Sequence, residues 1–468
     1  MYRLGLLLLV SMVAQWSIAQ KAPVKFGDVS LEEVTMTSYP SDSSAKAAVL
    51  YDYGVSEIVF NSSNYWFQLQ FERTTRIKIL KREGYSFADF QIPLYHNSSG
   101  KEKLSSIKVT TYNIENGKIV ETKMKSDGLF TEKYDQNTDI IKFTAPNVKE
   151  GSVIEVNYKV FSDFLNYFRD WEFQSTIPVA WSEYRAFIPE YFYYDKYTQG
   201  YVQLQVNETK EYPRSFMINT KDRTTNPSTN VTSTQFQSDK IEYREFQHRW
   251  AAKDVPAFRE EPYMTSTHDY ISKINFELTS YKLPNKPVQN IMGTWQDLNK
   301  SFLESPYFGD VVSGSGFLKK LAEETVSGLT SPEEKIAAIY QYVKSNLEWD
   351  GTNRKFIADV SLKDALEKKK GSSAHINLML TSMLQKAGIQ ASPVLVSTRS
   401  NGFVRENMAL SSQFNYVICA VRLNDKNLLL DATDRLLPIG VLPERCLNGR
   451  GYVISAETPG WIELAAPK

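Results

Sequence analysis

The sequence is poor in the residues that build metal centres and disulfide frameworks. Its 468 residues include two cysteines, Cys419 and Cys446, and four histidines. Two cysteines exclude a disulfide-rich scaffold. No zinc-ligand spacing, CxxC pair, HExxH helix, phosphate loop or dinucleotide fingerprint is present. We therefore expect no metal and no cofactor. Whether Cys419 and Cys446 pair stays open, although Cys419 lies in an apolar run where a free thiol behaves as a small hydrophobic group.

An excess of charge of one sign is also lacking. Lys and Arg together number 54, and so do Asp and Glu, which gives a formal net charge of zero. This balance offers no attraction for nucleic acid or for a charged membrane surface. Beyond the N-terminus no run is long and apolar enough to cross a bilayer. We therefore expect no nucleic-acid partner and no transmembrane segment in the mature chain.

Residues 1–19 have the composition of a secretory signal. Arg3 supplies the positive charge, residues 4–13 supply the apolar core, and Ser17 and Ala19 supply the small residues of a cleavage site. The pattern predicts cleavage after Ala19 and a mature protein in the periplasm or outside the cell. The alternative is an uncleaved membrane anchor.

Residues 20–280 have the pattern of β structure. Apolar and polar residues alternate in residues 66–71, 107–112 and 153–158, which is the period of a strand with one buried face. Many such runs without intervening helices predict an all-β sandwich. Residues 207–239 are polar and read as hairpins with loose loops. The aromatic run at residues 191–194 suits sandwich core packing better than a platform for sugars or peptides.

The pattern changes after residues 281–294, which contain Pro284 and Pro287 and are predicted to be a linker. Ser331 followed by proline predicts a helix start, and Ser361 predicts another helix that Gly371 ends. A third helix is expected over residues 373–387. Strands are expected at 391–397, 414–423 and 428–430. Residues 295–468 are therefore predicted to form an α+β domain, and the chain is predicted to be multidomain.

Residues 371–380 look like the site of a catalytic nucleophile. A small residue after a glycine turn, at the N-terminus of a buried helix, is where the helix dipole favours a thiolate. The strand that follows contains Tyr416, and the next strand ends at Asp431. A helix and two strands that contribute one residue each give the geometry of a catalytic triad.

Residues 295–451 resemble the transglutaminase-like core, which shares its fold with papain-like enzymes. The resemblance is carried by the helix at 371–380 leading into residues 388–396, by the strand with Tyr416, and by the strand ending at residues 430–433. The preceding region is similar to the domain of unknown function found before such cores in exported proteins of the Bacteroidetes type. That weaker similarity rests on residues 76–80 and 181–185.

The resemblance implies cysteine, histidine and aspartate at the three catalytic positions, but the sequence has Ser373, Tyr416 and Asp431. A tyrosine, with an ordinary pKa of about 10, cannot serve as a base near neutral pH. His375 lies two residues after Ser373, about 200° around a helix, so the two side chains should point apart. Asp431 and Asp434 could suggest a cation site, but acids at this spacing more often form turns. We therefore expect no competent catalytic residue at these positions.

The sequence thus predicts an exported envelope protein whose transglutaminase-like domain is catalytically degenerate and binds a protein, peptide or glycan. Two alternatives remain open. One is an active hydrolase or acyltransferase that uses Ser373 as its nucleophile. The other is a structural component of an envelope assembly.

Overall fold

The computed structural model describes residues 23–134, 137–225, 232–261, 264–314, 316–357, 360–424 and 426–465. The predicted signal segment, residues 1–19, lies outside the described residues. None of the helices within the described ranges is long and apolar enough to cross a membrane.

The chain before residue 291 is built from strands, with two short helices, α1 (Leu31–Thr35) and α2 (Thr267–Tyr270). The strands described there are β1 (Ala47–Asn61), β2 (Trp66–Ile79), β3 (Asp89–Asn97), β4 (Gly100–Lys101), β5 (Lys103–Glu115), β6 (Lys118–Lys123), β7 (Phe130–Lys133), β8 (Thr138–Thr144), β9 (Val153–Ser162), β10 (Trp171–Glu172), β11 (Val179–Pro189), β12 (Phe192–Gln199), β13 (Val206–Thr225), β14 (Thr232–Val255), β15 (Lys273–Tyr281) and β16 (Gln289–Asn290).

These strands form one large sheet and two small sheets. The large sheet has the order β13-β14-β11-β1-β2-β9-β5-β6, and its pairs are antiparallel except for the parallel pair β1–β11. The small sheets are β4-β3-β8-β7 and β10-β15-β12, with β16 paired to β15. One apolar core joins all three sheets, because Leu69 of the large sheet belongs to the same cluster as Phe143 and Phe276 of the small ones. The predicted β sandwich is confirmed.

The alternation in β2 explains how this core forms. Phe67, Leu69 and Phe71 are buried, whereas Gln68 and Gln70 between them are half-buried. Successive strand residues point to opposite faces, so this pattern turns one apolar face toward the small sheets.

The polar segment at residues 207–239 differs from expectation. Instead of several hairpins with loose loops, its described residues form one long antiparallel ladder between β13 and β14, from Val206 opposite Ala251 to Thr225 opposite Thr232. Within the described residues of this segment, the Thr, Ser and Asn residues of β13 and β14 lie in paired strands, where threonine is well suited.

Residues 281–294, expected as a linker, are hydrogen-bonded to the first unit. Within them β16 pairs with β15, and the N–H groups of Ile291 and Met292 both donate to the carbonyl of Thr279. The two prolines flank a turn closed by the bond from Lys286 N to Leu283 O, at 3.1 Å.

The second unit contains the helices α3 (Trp295–Leu303), α4 (Gly309–Gly314), α5 (Gly316–Thr325), α6 (Pro332–Asn346), α7 (Leu362–Lys368) and α8 (Ser373–Lys386). Its strands are β17 (Glu348–Trp349), β18 (Lys370–Gly371), β19 (Ala391–Val396), β20 (Tyr416–Leu423), β21 (Lys426–Leu430), β22 (Arg450–Val453) and β23 (Gly460–Glu463). The sheet β21-β20-β19-β22-β23 is antiparallel throughout. Helix α8 packs on it, since Met379 and Leu380 share a core cluster with Leu395 and Val417. The predicted α+β domain is confirmed.

The helix starts follow their capping residues. Ser331 accepts a hydrogen bond from Glu334 N at 3.3 Å and Ser361 accepts one from Asp364 N at 3.1 Å. The predicted end of α7 at Gly371 is wrong, because Lys369 ends the helix in the left-handed conformation with φ 52°. Gly371 lies in β18, where an added Cβ would come within 2.8 Å of the His375 Cβ.

Candidate active site

Tyr416 and Asp431 meet in the interior of the second unit. Tyr416 is the first residue of β20, and Asp431 directly follows the adjacent strand β21, so strand pairing brings them side by side. The Tyr416 hydroxyl donates to Asp431 Oδ2 at 2.9 Å. It also lies 2.9 Å from Thr433 Oγ1.

The Asp431 carboxylate is held by donors from three directions. Its Oδ1 accepts from Asn377 Nδ2 of α8 at 3.0 Å, from Thr433 N at 3.0 Å and from Thr433 Oγ1 at 2.7 Å, while Oδ2 takes the Tyr416 bond. Asp434, which could have suggested a shared cation, accepts instead from Leu436 N at 2.8 Å, as a turn residue does. The carboxylate therefore orders the end of β21 and the start of the following turn.

Ser373 lies in the first turn of α8 and is tied to a different part of the chain. Its hydroxyl donates to Arg354 O at 2.8 Å and accepts from Arg354 N at 2.8 Å. Within the described residues no hydrogen bond joins it to Tyr416 or Asp431. Ser373 is not the capping residue of α8, because the N-cap is Ser372.

His375 is occupied by its own partners. Ser372 N donates to Nδ1 at 3.2 Å and Ser372 Oγ lies 2.8 Å from the same atom, while Nε2 lies 3.0 Å from Val360 O. Since Nδ1 accepts, the ring proton must be on Nε2 and is donated to that carbonyl. Burial lowers the pKa of His375, so the ring stays neutral. His375 therefore does not act as a base for Ser373.

The pKa values at the site oppose proton transfer. Burial, together with the charge of Asp431, raises the pKa of Tyr416 well above its ordinary value, so the phenol keeps its proton. The guanidinium of Arg445 covers this side of the site. It stacks 4.1 Å from the centroid of the Trp349 ring, and its Nη2 donates to Thr433 Oγ1 at 2.6 Å.

Cys446 is a site residue that the sequence did not reveal. Its Sγ lies 3.5 Å from Asp431 Oδ2, although Cys446 comes after the hairpin of β20 and β21 and a further turn. Burial raises the pKa of this thiol well above its ordinary value, with Asp431 adding to the rise. Burial also raises the pKa of Cys419 to about 12. Both cysteines are free thiols.

None of the three triad-equivalent side chains reaches the surface. Ser373, Tyr416 and Asp431 are all 0% exposed. A groove of about 790 Å³ lies in this unit, and its lining includes Phe308, Gln390 and Trp461. Ser373, Tyr416 and Asp431 do not line this groove. An acyl substrate would therefore have to displace part of the core to reach Ser373.

Residues 319–420 match the core model of the transglutaminase-like superfamily. This region is a transglutaminase-like core. The matched region includes Ser373 and Tyr416 and ends before Asp431. The assignment of Asp431 to the third triad position is therefore based on its contact with Tyr416 and on the resemblance described above. A search of curated proteins gave no match.

Two solved structures are similar to the chain at low sequence identity. A putative protease from Parabacteroides distasonis ATCC 8503 is 12% identical, with a TM-score of 0.55, over 90% of this chain and 72% of that one. This overlap shows that the fold of the chain recurs in another protein. The periplasmic domain of TgpA from Pseudomonas aeruginosa is 12% identical over 57% of this chain and 94% of that one, with a TM-score of 0.22.

Proposed function

We propose that this is an exported protein whose transglutaminase-like core is non-catalytic and serves in binding a protein, peptide or glycan. The observation that carries the proposal is the hydrogen bond from Tyr416 to Asp431. At the position where the resemblance implies a general base stands a buried proton donor.

The two protons that a triad would move both have fixed acceptors. The Ser373 hydroxyl donates a hydrogen bond to the carbonyl of Arg354, and the Tyr416 hydroxyl donates one to Asp431. A general base needs a vacant lone pair within reach of the nucleophile and a pKa near the working pH. Neither condition is met around Ser373, which supports a loss of acyl-transfer chemistry.

The thiol of Cys446 does not restore the missing nucleophile. Its neighbour is a carboxylate, and a negative charge beside a buried thiol disfavours the thiolate. Reactive cysteines sit in electropositive, accessible surroundings, whereas Cys446 is 0% exposed.

Export is supported by the sequence of residues 1–19 alone. The proposed ligand class is taken from the peptide-like substrates of the superfamily. The core has the superfamily's fold but has Ser373 and Tyr416 where the resemblance implies a cysteine and a histidine.

A labelling experiment tests the non-catalytic state. The natural protein and Ser373→Ala are incubated with a fluorophosphonate probe, which labels activated serines. We expect no labelling of either protein. Labelling of the natural protein that Ser373→Ala abolishes would contradict the proposal and support the Ser373 hydrolase.

The double variant Ser373→Cys with Tyr416→His tests whether the position itself is triad-like. It should lower the pKa of the thiol at position 373 relative to Ser373→Cys alone, because an imidazole beside Asp431 can draw the proton from a thiol. Thiolate absorbance in the ultraviolet measures this pKa without a reagent having to reach the buried position, and the raised pKa values of Cys419 and Cys446 set a low background in both proteins. Equal thiol pKa values in the two variants would show that residue 416 cannot act as the base for residue 373.

A further inference from the structure

The first unit has a cleft of about 410 Å³ between its sheets. The floor comes from β1, β2 and β9 of the large sheet. One wall comes from Phe87, Phe90 and Phe143, and the other from residues 172–177 and the helix α2. The cleft thus lies where the two small sheets leave part of the large sheet uncovered.

At the floor of the cleft, polar residues interrupt the row of apolar side chains on the inner face of the large sheet. Along β2 the inward residues are Phe67, Leu69, Phe71, then Arg73 and Thr75, and then Ile77. Arg73 donates through Nε to Asp52 Oδ1 at 2.9 Å and through Nη2 to Oδ2 at 2.7 Å. An ion pair between the layers of a sandwich costs desolvation that apolar residues would avoid. Its presence at the floor of an open cleft makes the cleft a candidate binding site.

The guanidinium is both supported and accessible. Gly54, opposite Arg73 across the ladder, leaves room for Trp171, since an added Cβ would lie 2.2 Å from the indole Cζ3. The Arg73 guanidinium rests 5.1 Å from the centroid of that indole ring. Its side chain is nevertheless 39% exposed, while Asp52 beneath it is 8% exposed. Asp52 accepts from Nε and Nη2, and Tyr158 also hydrogen-bonds to the guanidinium, so only the remaining N–H groups are left for another acceptor.

The charged residues that line the cleft disfavour an anionic ligand. Asp52 balances Arg73, so no unpaired positive charge is among the lining residues. Outside the lining, Lys273 Nζ lies 2.7 Å from His268 Nε2. Glu172 at the exposed rim would repel an anion. His268, on the α2 wall, has its pKa lowered by burial and is neutral. Phe87 and Phe90 are half-buried, and phenyl walls favour an aromatic ring in offset or edge contact.

We propose that this cleft binds a small uncharged molecule with an aromatic ring and a carbonyl acceptor, the chemistry of an aromatic residue within a peptide. The ring lies between the phenylalanine wall and α2, and the carbonyl accepts from Arg73. This site belongs to the first unit and holds whether or not the transglutaminase-like core is catalytic.

The same helix that walls the cleft also touches the second unit. Thr267 and His268 of α2 line the cleft, while Asp269 Oδ1 accepts from Phe403 N at 2.8 Å. Occupancy of the cleft is therefore positioned to alter the contact between the units.

The probe for the test is N-acetyl-L-phenylalaninamide, titrated against the full chain by saturation-transfer NMR. A fragment of this size should bind with a dissociation constant on the order of 1 mM. The matched anion N-acetyl-L-phenylalanine should bind at least about fivefold more weakly because of Glu172 and the balanced ion pair. Absence of saturable binding of the amide, or tighter binding of the anion, would overturn the proposal.

Variants separate this cleft from other surfaces. Thr176 is exposed at the cleft lining, so Thr176→Trp should block the mouth and abolish binding without touching the core. The pair Asp52→Asn with Arg73→Gln keeps the floor uncharged while weakening the donor, and should lower affinity. Arg244→Gln is the control, since Arg244 forms an exposed pair with Glu190 away from the cleft. Binding that Thr176→Trp leaves intact would refute the site, and thermal melting checks that each variant folds.

Discussion

Ser373 and Tyr416 each have a hydroxyl at a position where the superfamily resemblance implies a reactive group, and each hydroxyl is used for structure. Ser373 bonds to both backbone groups of Arg354, which fixes the loop between β17 and α7 against the start of α8. Tyr416 fixes the turn after β21 through Asp431. Buried polar groups are retained when all their partners are satisfied, and these two meet that condition.

Ser373→Ala should destabilise the protein by about 1–3 kcal/mol, because it leaves both the N–H and the C=O of Arg354 without their partner. Urea unfolding measures the change. Ser382→Ala on the same helix is the matched control, since Ser382 is also buried but makes a single bond, to Val312 O at 2.7 Å. A loss for Ser373→Ala no larger than that of the control would mean that the Arg354 contacts contribute little.

The sequence could indicate some of these residues and not others. Tyr416 and Asp431 stand at the ends of strands whose apolar runs are visible, so their meeting could be predicted. Cys446 and Arg445 lie in a short turn with no periodic pattern, and only the packing of that turn brings them to Asp431. Arg354, the partner of Ser373, lies in a loop with no pattern that could have pointed to it.

At the scale of elements, α8 is the structural centre of the second unit. Its residues from Ser373 to Leu384 are all buried, polar ones included. Asn377 shows why a polar residue is placed there. Its Nδ2 donates to Asp431 Oδ1 and to Val417 O, and its Oδ1 accepts from Ala432 N, each at 3.0 Å. One amide thus joins the helix to two neighbouring strands.

Asn377→Leu should therefore lower the free energy of unfolding by about 3 kcal/mol or more. The substitution removes a hydrogen-bond partner from one carboxylate oxygen and from two backbone groups inside the core. Guanidinium unfolding followed by tryptophan fluorescence measures the loss. Asn299→Leu is the comparison, because Asn299 also bridges backbone groups, the N–H and C=O of Ser455, but touches no charged group. Equal losses would indicate that the bond to Asp431 adds nothing.

Capping signals account for some of the helices but not for all. Ser331 with Pro332 and Ser361 with Asp364 indicate α6 and α7 by local chemistry. Helix α3 was not predicted, although Thr294 and Asp297 form a capping box at its start. Helices α4 and α5, which have glycine at one or both ends, and the four-residue strands β22 and β23 were not predicted either. Such elements depend on tertiary contacts more than on their own sequence.

At the scale of the whole molecule, the two units touch through a loop of the second. The Arg405 guanidinium lies 3.2 Å from the centroid of the Tyr197 ring and donates to Gln199 Oε1 at 3.1 Å. Arg399 donates to Met264 O at 3.3 Å. These contacts are polar, and polar interfaces between domains usually permit relative motion.

Glu277 near this interface should make stability depend on pH. Burial raises its pKa to about 7, with Asp170 adding to the rise and Arg405 opposing it. The folded state then holds the proton more tightly than the unfolded chain, so this group's contribution to stability falls as pH rises from about 4.5 to about 7. Glu277→Gln should remove that fall, which thermal melts across the window would show as a Tm gain that grows with pH. Glu463→Gln, an exposed site on β23, is the control, and a constant offset for Glu277→Gln would contradict the assignment.

The Arg405 contact should hold the two units together after the chain between them is cut. Residues 282 and 284–290 are exposed, and trypsin can cleave after Lys282 but not readily after Lys286, which precedes Pro287. Each unit has its own apolar core, so cleavage at Lys282 should give two folded fragments. Arg405→Ala removes the bond to Gln199 and the stacking on Tyr197, so the cleaved fragments should separate more readily in size-exclusion chromatography while the melting of each unit stays unchanged. Arg450→Ala is the matched control, since Arg450 pairs with Glu406 and Glu463 within the second unit. If the fragments of Arg405→Ala separated no more readily than those of this control, the loop would not be what holds the two units together.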